Sequence, residues 1–243
     1  MILRPERIAF LACLALHQPG AAGAELNDTG IATCSNETQN GLPCPVNGYP
    51  GQDAEYGRDA THNDDSDGRA GFSFTKLDGN GQALSAGAAS WSCVRDNVTG
   101  LEWEVKTDDG GLRDKDNTYT WYNPDSASNG GSAGTANGGS CTGSNCDTQA
   151  YVQAVNAAGL CGHADWRLPE REELRSLVDY SVAYPGPTID QNYFPNTRNT
   201  VFSSASPYAG VSTYAWLVSF DFGYDYPAGK FSALGVRVVR GGQ

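Results

Sequence analysis

The 243-residue sequence is short of positive charge: 16 Lys and Arg stand against 28 Asp and Glu, a net charge of −12. An excess of that size repels phosphate at long range, which excludes nucleic acid and anionic lipid surfaces as expected partners. Long apolar runs are missing as well. Beyond the N-terminus nothing approaches the roughly 20 apolar residues that a membrane span needs. Histidine is scarce, at 3 residues, and methionine occurs once. The 30 glycines follow no three-residue period, so a collagen helix is excluded. What is present is an acidic chain rich in Gly, Ser and Asn, with 39% hydrophobic residues, enough for a packed core.

The N-terminus speaks to the compartment. Arg4 and Arg7 precede the apolar run from Ile8 to Leu16, Pro19-Gly20 breaks it, and Ala22-Gly23-Ala24 supplies small residues for cleavage before Glu25. Residues 1–24 are therefore expected to be a secretory signal peptide. A lipoprotein signal at Cys13 fits less well, because Phe10-Leu11-Ala12 is a poor match and leaves the apolar run very short.

Six cysteines follow: Cys34, Cys44, Cys93, Cys141, Cys146 and Cys161. An even count in an exported chain reads as disulfides. Zinc is the rival, but Cys141 and Cys146 have no second close pair, and only His62 and His163 remain past residue 24. Proximity favours Cys34–Cys44 and Cys141–Cys146, which leaves Cys93–Cys161 to join distant parts of the chain. On the chain-entropy account that long loop is worth roughly 4 kcal/mol.

Residues 25–70 are polar and irregular and read as an extended arm or a loop-rich cap, ahead of a domain at 71–243. Gly71 to Leu77 alternates as a strand with Phe72 and Phe74 on one face, and Asp78-Gly79-Asn80-Gly81 turns the chain. A hairpin is expected next, with Trp91–Val94 against Leu101–Val105, the acids Glu102 and Glu104 facing solvent. Residues 124–146 look like one long loop. A helix over Thr148–Ala158 has Asp147 as its cap and Gly159 as its stop. A second is expected to start at Pro169 and to run through Leu174, Leu177 and Val178. Strands return at Val201–Ser204, Tyr214–Phe222 and Phe231–Arg240. Strands, loop, two helices and strands make an α+β fold with antiparallel sheet.

Two segments carry a resemblance. They are Trp91-Ser92-Cys93-Val94-Arg95-Asp96-Asn97-Val98-Thr99-Gly100-Leu101-Glu102-Trp103-Glu104 and Asn156-Ala157-Ala158-Gly159-Leu160-Cys161-Gly162-His163-Ala164-Asp165-Trp166-Arg167-Leu168-Pro169. With Glu173 to Leu177, Ile189 to Asn196 and Val236 to Gly241, they make residues 89–241 similar to the Lcl C-terminal domain family of bacterial collagen-like surface adhesins. The resemblance implies an extracytoplasmic fold related to C-type lectins and formylglycine-generating enzymes. For some members it implies adhesion to sulfated glycans. It also supports pairing Cys93 with Cys161, since each lies in a matching segment.

Chemistry is sparse. The formylglycine-generating relatives need a reactive cysteine pair that binds copper, and here the cysteines are expected in disulfides. No nucleophile elbow surrounds Ser203 or Ser204, and nothing singles out two carboxylates, so no enzyme activity is expected. Asn63, Asp65 and Asp67 followed by Gly68 match the start of a calcium loop. Phe74 stands at its twelfth position, where a bidentate Glu belongs. A solvated acidic turn is thus favoured, with structural calcium as the alternative. The acidity also disfavours a sulfated ligand, because Arg167, Arg171, Arg175 and Arg198 form only a modest cluster.

These readings converge on a secreted or cell-surface module that binds a glycan or a protein, with a structural subunit of an extracellular fibre or homo-oligomer as the alternative. Recognition is expected on loops carried by the scaffold, at 122–146, 203–214 and 222–230. The candidate contacts are Tyr122, Tyr208, Tyr224, Tyr226 and Asp225, because tyrosine brings rigid contact area at low entropic cost. The equally weighted alternative is that these tyrosines shield a sheet edge.

Overall fold

The computed structural model describes residues 27–62 and 64–241. The expected signal peptide and Asn63 of the candidate calcium loop lie outside the described residues. The fold is α+β, built on two antiparallel sheets. One has four strands in the order β1 (Phe74–Leu77), β2 (Cys93–Asp96), β3 (Glu102–Glu104) and β7 (Val239–Arg240). The other joins β4 (Val201–Pro207), β5 (Tyr214–Ser219) and β6 (Asp225–Gly229) in sequence order. Three helices accompany them: α1 (Arg58–Thr61), α2 (Thr148–Ala158) and α3 (Arg171–Arg175). None of the described helices is long and apolar enough to cross a membrane.

The four-stranded sheet is buried on both faces. Successive strand residues point to opposite sides, so Phe74, Val94, Trp103 and Val239 enter one core with Leu174, Phe194 and Phe202. Leu77, Cys93 and Val238 enter a second core with Tyr151, Val155 and Trp166. This corrects the reading of β3 as half-solvated. Glu102 and Glu104 are buried, and Glu104 faces α2, where its carboxylate meets Lys106 at 3.0 Å and the Tyr151 hydroxyl. Alternation alone does not distinguish a solvent face from a second buried one.

Helix α2 runs as expected. Asp147 accepts the Ala150 N–H at 2.9 Å, and Gly159 closes the helix in the left-handed region at φ +64°. Helix α3 is shorter than expected and starts two residues later. Glu170 rather than Pro169 governs its start, in a capping box in which the Glu173 carboxylate accepts the Glu170 N–H at 2.8 Å. Leu177 and Val178 still reach the core, through the turns beyond the helix. Two expected strand assignments also change. Past Phe231 only Val239–Arg240 is strand, and 225–229, expected as a connection, is β6.

Three disulfides are formed, Cys34–Cys44, Cys93–Cys161 and Cys141–Cys146, the pairs that proximity and resemblance favour. Cys93–Cys161 ties β2 to the turn that follows α2. The polar N-terminal segment is a loop-rich cap. Asn27 donates to the Asp96 carboxylate at 2.8 Å, Tyr180 N–H donates to the Thr29 carbonyl at 2.8 Å, and Arg69 pairs with Asp179 at 3.2 Å.

Candidate functional site

The three-stranded sheet and the loops against it hold most of the expected contact residues, and one lysine anchors the loops. Lys230 is only 2% exposed, and its ammonium donates to three main-chain carbonyls: Asn129 and Ser212 at 2.7 Å and Ser132 at 2.8 Å. It also lies 4.1 Å from the centroid of the Trp121 ring, and burial holds its pKa below the usual lysine value. The 122–146 loop, the 203–214 connection and the end of β6 are thereby tied together. The loop itself is ordered, with Tyr122 bridging to Gly134, Thr118 to Ser140, and the Cys141–Cys146 disulfide closing its far end.

Strand alternation divides the candidates. Trp216 pairs with Pro227, so Asp225 and Trp216 share the face covered by α3. There Asp225 stands 3.7 Å from Arg171 and 3.5 Å from Arg175, and the Arg171 guanidinium lies over the Trp216 ring. Tyr208 meets Trp216 edge-on, with centroids 5.3 Å apart. Tyr224 and Tyr226 point to the opposite side of β6 from Asp225. Tyr122 is separate again, half-buried on a 210 Å³ cavity with Val152 and Leu168. The five expected contacts thus form no single cluster.

Tyr224 and Tyr226 belong to a longer row. Tyr184 stacks on Phe222 at 4.5 Å, Phe222 lies 5.5 Å from Tyr224, and Tyr224 lies 5.4 Å from Tyr226. Three of these rings are exposed, Tyr184 at 66%, Phe222 at 51% and Tyr224 at 50%. Burial, with the neighbouring Tyr224 and Asp221, raises the Tyr226 pKa. Sequence reasoning missed Tyr184 and Phe222. Phe222 closes the expected strand Tyr214–Phe222, yet β5 ends at Ser219, Phe220 turns inward and Phe222 is exposed. Tyr184 had no local signal beyond its place in a Pro- and Gly-rich turn.

In the acidic turn, Asp65 accepts the Ala70 N–H at 3.3 Å and Asp67 accepts the Ser73 hydroxyl at 2.5 Å. Phe74 is core, buried beside Phe194. Among the described residues no three His, Cys, Asp or Glu side chains gather as a metal site would require.

The sequence profile of the Lcl C-terminal domain matches residues 92–240. The chain belongs to this family. No curated protein matches it. The Lcl C-terminal domain match begins just before β2, so β1 adds a strand to a sheet whose other members lie inside the match. Both Cys93 and Cys161 fall within the match, as do the aromatic row and Lys230. Membership in the Lcl C-terminal domain family marks the chain as a surface or adhesion-related module.

Proposed function

We propose that this chain is an exported, non-enzymatic recognition module that binds an extracellular glycan or surface protein through the aromatic row Tyr184–Phe222–Tyr224–Tyr226. The row carries the proposal because rings already packed on one another present apolar area with little further ordering cost. An exposed run of this kind is uncommon on a monomer unless something covers it. Three disulfides and the family fit an extracellular setting. With all six cysteines past residue 24 paired, no thiol pair is left for copper-dependent oxidase chemistry, which supports the non-enzymatic reading.

The fibre alternative needs the polar segment 25–70 free to pair with a neighbour's sheet edge. That segment is instead fastened to the domain through Asn27, Thr29 and Arg69. This favours a discrete particle, to be checked by size-exclusion chromatography and electron microscopy.

The test of the row is a glycan array and a panel of extracellular proteins probed with the intact exported chain. Phe222→Ala and Tyr224→Ala are expected to lower binding about tenfold or more without lowering the melting temperature, since each removes exposed contact area. Tyr208→Ala is expected to act mainly on stability through Trp216. Normal binding by both row variants would sink the proposal.

A further inference from the structure

A separate cleft lies where the N-terminal cap meets the four-stranded sheet, and no residue of the aromatic row lines it. Its volume is 660 Å³, within the roughly 300–1,000 Å³ that small-molecule sites occupy. Its walls come from the 65–69 turn of the cap, Lys76 on β1, the 86–91 loop and the 190–193 turn.

Two buried ions face this space with few partners. Lys76 is 6% exposed, its ammonium 3.6 Å from the Trp91 centroid and 5.5 Å from that of Tyr193. Among the described residues it has one acceptor, the Ala88 carbonyl at 3.2 Å, and no carboxylate in ion-pair contact. Asp190 is 7% exposed. Its Oδ1 accepts the Asn192 N–H at 2.9 Å, the Asn192 side chain and Arg69 stand nearby, and no cation of the described residues is in ion-pair contact with it. Burial lowers the Lys76 pKa against the pull of Asp190, and burial raises that of Asp190. Burying an ion without full partners is unfavourable. The cleft therefore retains donor and acceptor capacity that the protein does not use.

The charges decide the ligand class. Asp65, Arg69, Lys76 and Asp190 line the cleft, two of each sign, and Arg69 is already paired with Asp179, so an anion meets carboxylates and a cation meets the buried Lys76. A hydroxyl both donates and accepts, and neighbouring hydroxyls on one ring meet an ammonium and a carboxylate at once. We propose that this cleft binds an uncharged saccharide whose hydroxyls accept from Lys76 and donate to Asp190, beside the Trp91–Tyr193 wall. Trp91 is held for this by its own N–H, which donates to the Tyr193 carbonyl at 2.8 Å.

The site is independent of the aromatic row, and one experiment separates the two. Titration calorimetry of the intact exported chain against neutral mono- and disaccharides, with glucuronate, glucosamine and glycine as charged comparators, is expected to find a neutral sugar with a Kd of about 1 mM or tighter. Asp190→Asn and Lys76→Met are each expected to weaken it about tenfold, the loss of one charge-assisted hydrogen bond. Ala86→Trp, at an exposed position on the rim, fills the cleft without entering either core and is expected to abolish binding with the melting temperature unchanged. Tyr224→Ala is expected to leave this binding intact even where it removes a ligand of the row. The proposal is overturned if no neutral saccharide binds, if a charged comparator binds more tightly, or if folded Ala86→Trp binds as the parent does.

Discussion

Glu104 serves three donors from a fully buried position: the Lys106 ammonium at 3.0 Å, the Tyr151 hydroxyl, and the Val238 N–H at 3.1 Å. Arg237 is buried beside it and donates to its main-chain carbonyl at 2.9 Å, and burial brings the guanidinium pKa down to about 10. Removing the one carboxylate leaves two buried cations, Lys106 and Arg237, without it. Glu104→Ala is therefore expected to cost about 3–5 kcal/mol in urea unfolding, and a loss under about 1 kcal/mol would show that water relieves the network. Glu102 sets an acid limit. Burial works to raise its pKa, but hydrogen bonds from Arg95 and Arg240 outweigh it and hold the carboxyl below its ordinary value of 4.5. The stabilisation is then present above the unfolded-state value and is lost as pH falls through the lower folded one. Stability measured from pH 6 downward should fall less steeply in Glu102→Gln, and parallel curves would count against the assignment. Neither role was legible in the sequence, because an acid between two apolar residues has the same signature whether it meets water or a buried lysine.

At the scale of elements, legibility follows local chemistry. Asp147 and Gly159 bracket α2 with residues whose side chain or backbone freedom sets a helix end, and both ends agree with the structure. Asp147 also accepts the Asn137 N–H at 3.0 Å, so it joins the helix to the 122–146 loop. Asp147→Ala should cost about 1–2 kcal/mol in the same assay, and its amide exchange should quicken at both Ala150 and Asn137. Faster exchange at Ala150 alone would show that the loop is held elsewhere. Strand β6 was hidden by its own composition, since Asp225-Tyr226-Pro227-Ala228-Gly229 carries the residues of a turn. Its place at the sheet edge explains how Pro227 is accommodated, because an edge strand can leave one N–H out of the ladder. The aromatic row was half legible for a related reason. Tyr224 and Tyr226 sit at a strand period, whereas Tyr184 reaches them only through tertiary packing.

Over the whole molecule, one covalent link spans the second core. Cys93 and Cys161 are 68 residues apart and join the sheet to the end of α2. Replacing both with Ala should lower stability by roughly 4 kcal/mol, chiefly by freeing the unfolded chain, and a much smaller loss would point to residual structure in that chain. Calcium enters at this scale too, because the acidic turn lies in the cap. Asp65 and Asp67 already accept hydrogen bonds from Ala70 and Ser73, so chelation is expected to leave the melting temperature unchanged. A clear drop, with calcium found by elemental analysis, would replace the acidic turn with a metal loop. The α+β class was legible from the order of segments, and the family from the spacing of its motifs. How the cap folds onto the domain was not, because ties such as Arg69–Asp179 join residues that no local pattern links.

Lys230 has a consequence for redesign. All three of its acceptors are peptide carbonyls, at Asn129, Ser132 and Ser212, so the anchor makes no demand on which side chains those positions carry. The loops can then be randomised at exposed neighbours such as Ser126, Ala127 and Val211 while their main-chain course is kept. A display library built on these positions should yield folded variants at a high rate, and the same library on a Lys230→Met background should not. In that respect the scaffold separates the shape of its loops from the chemistry written on them.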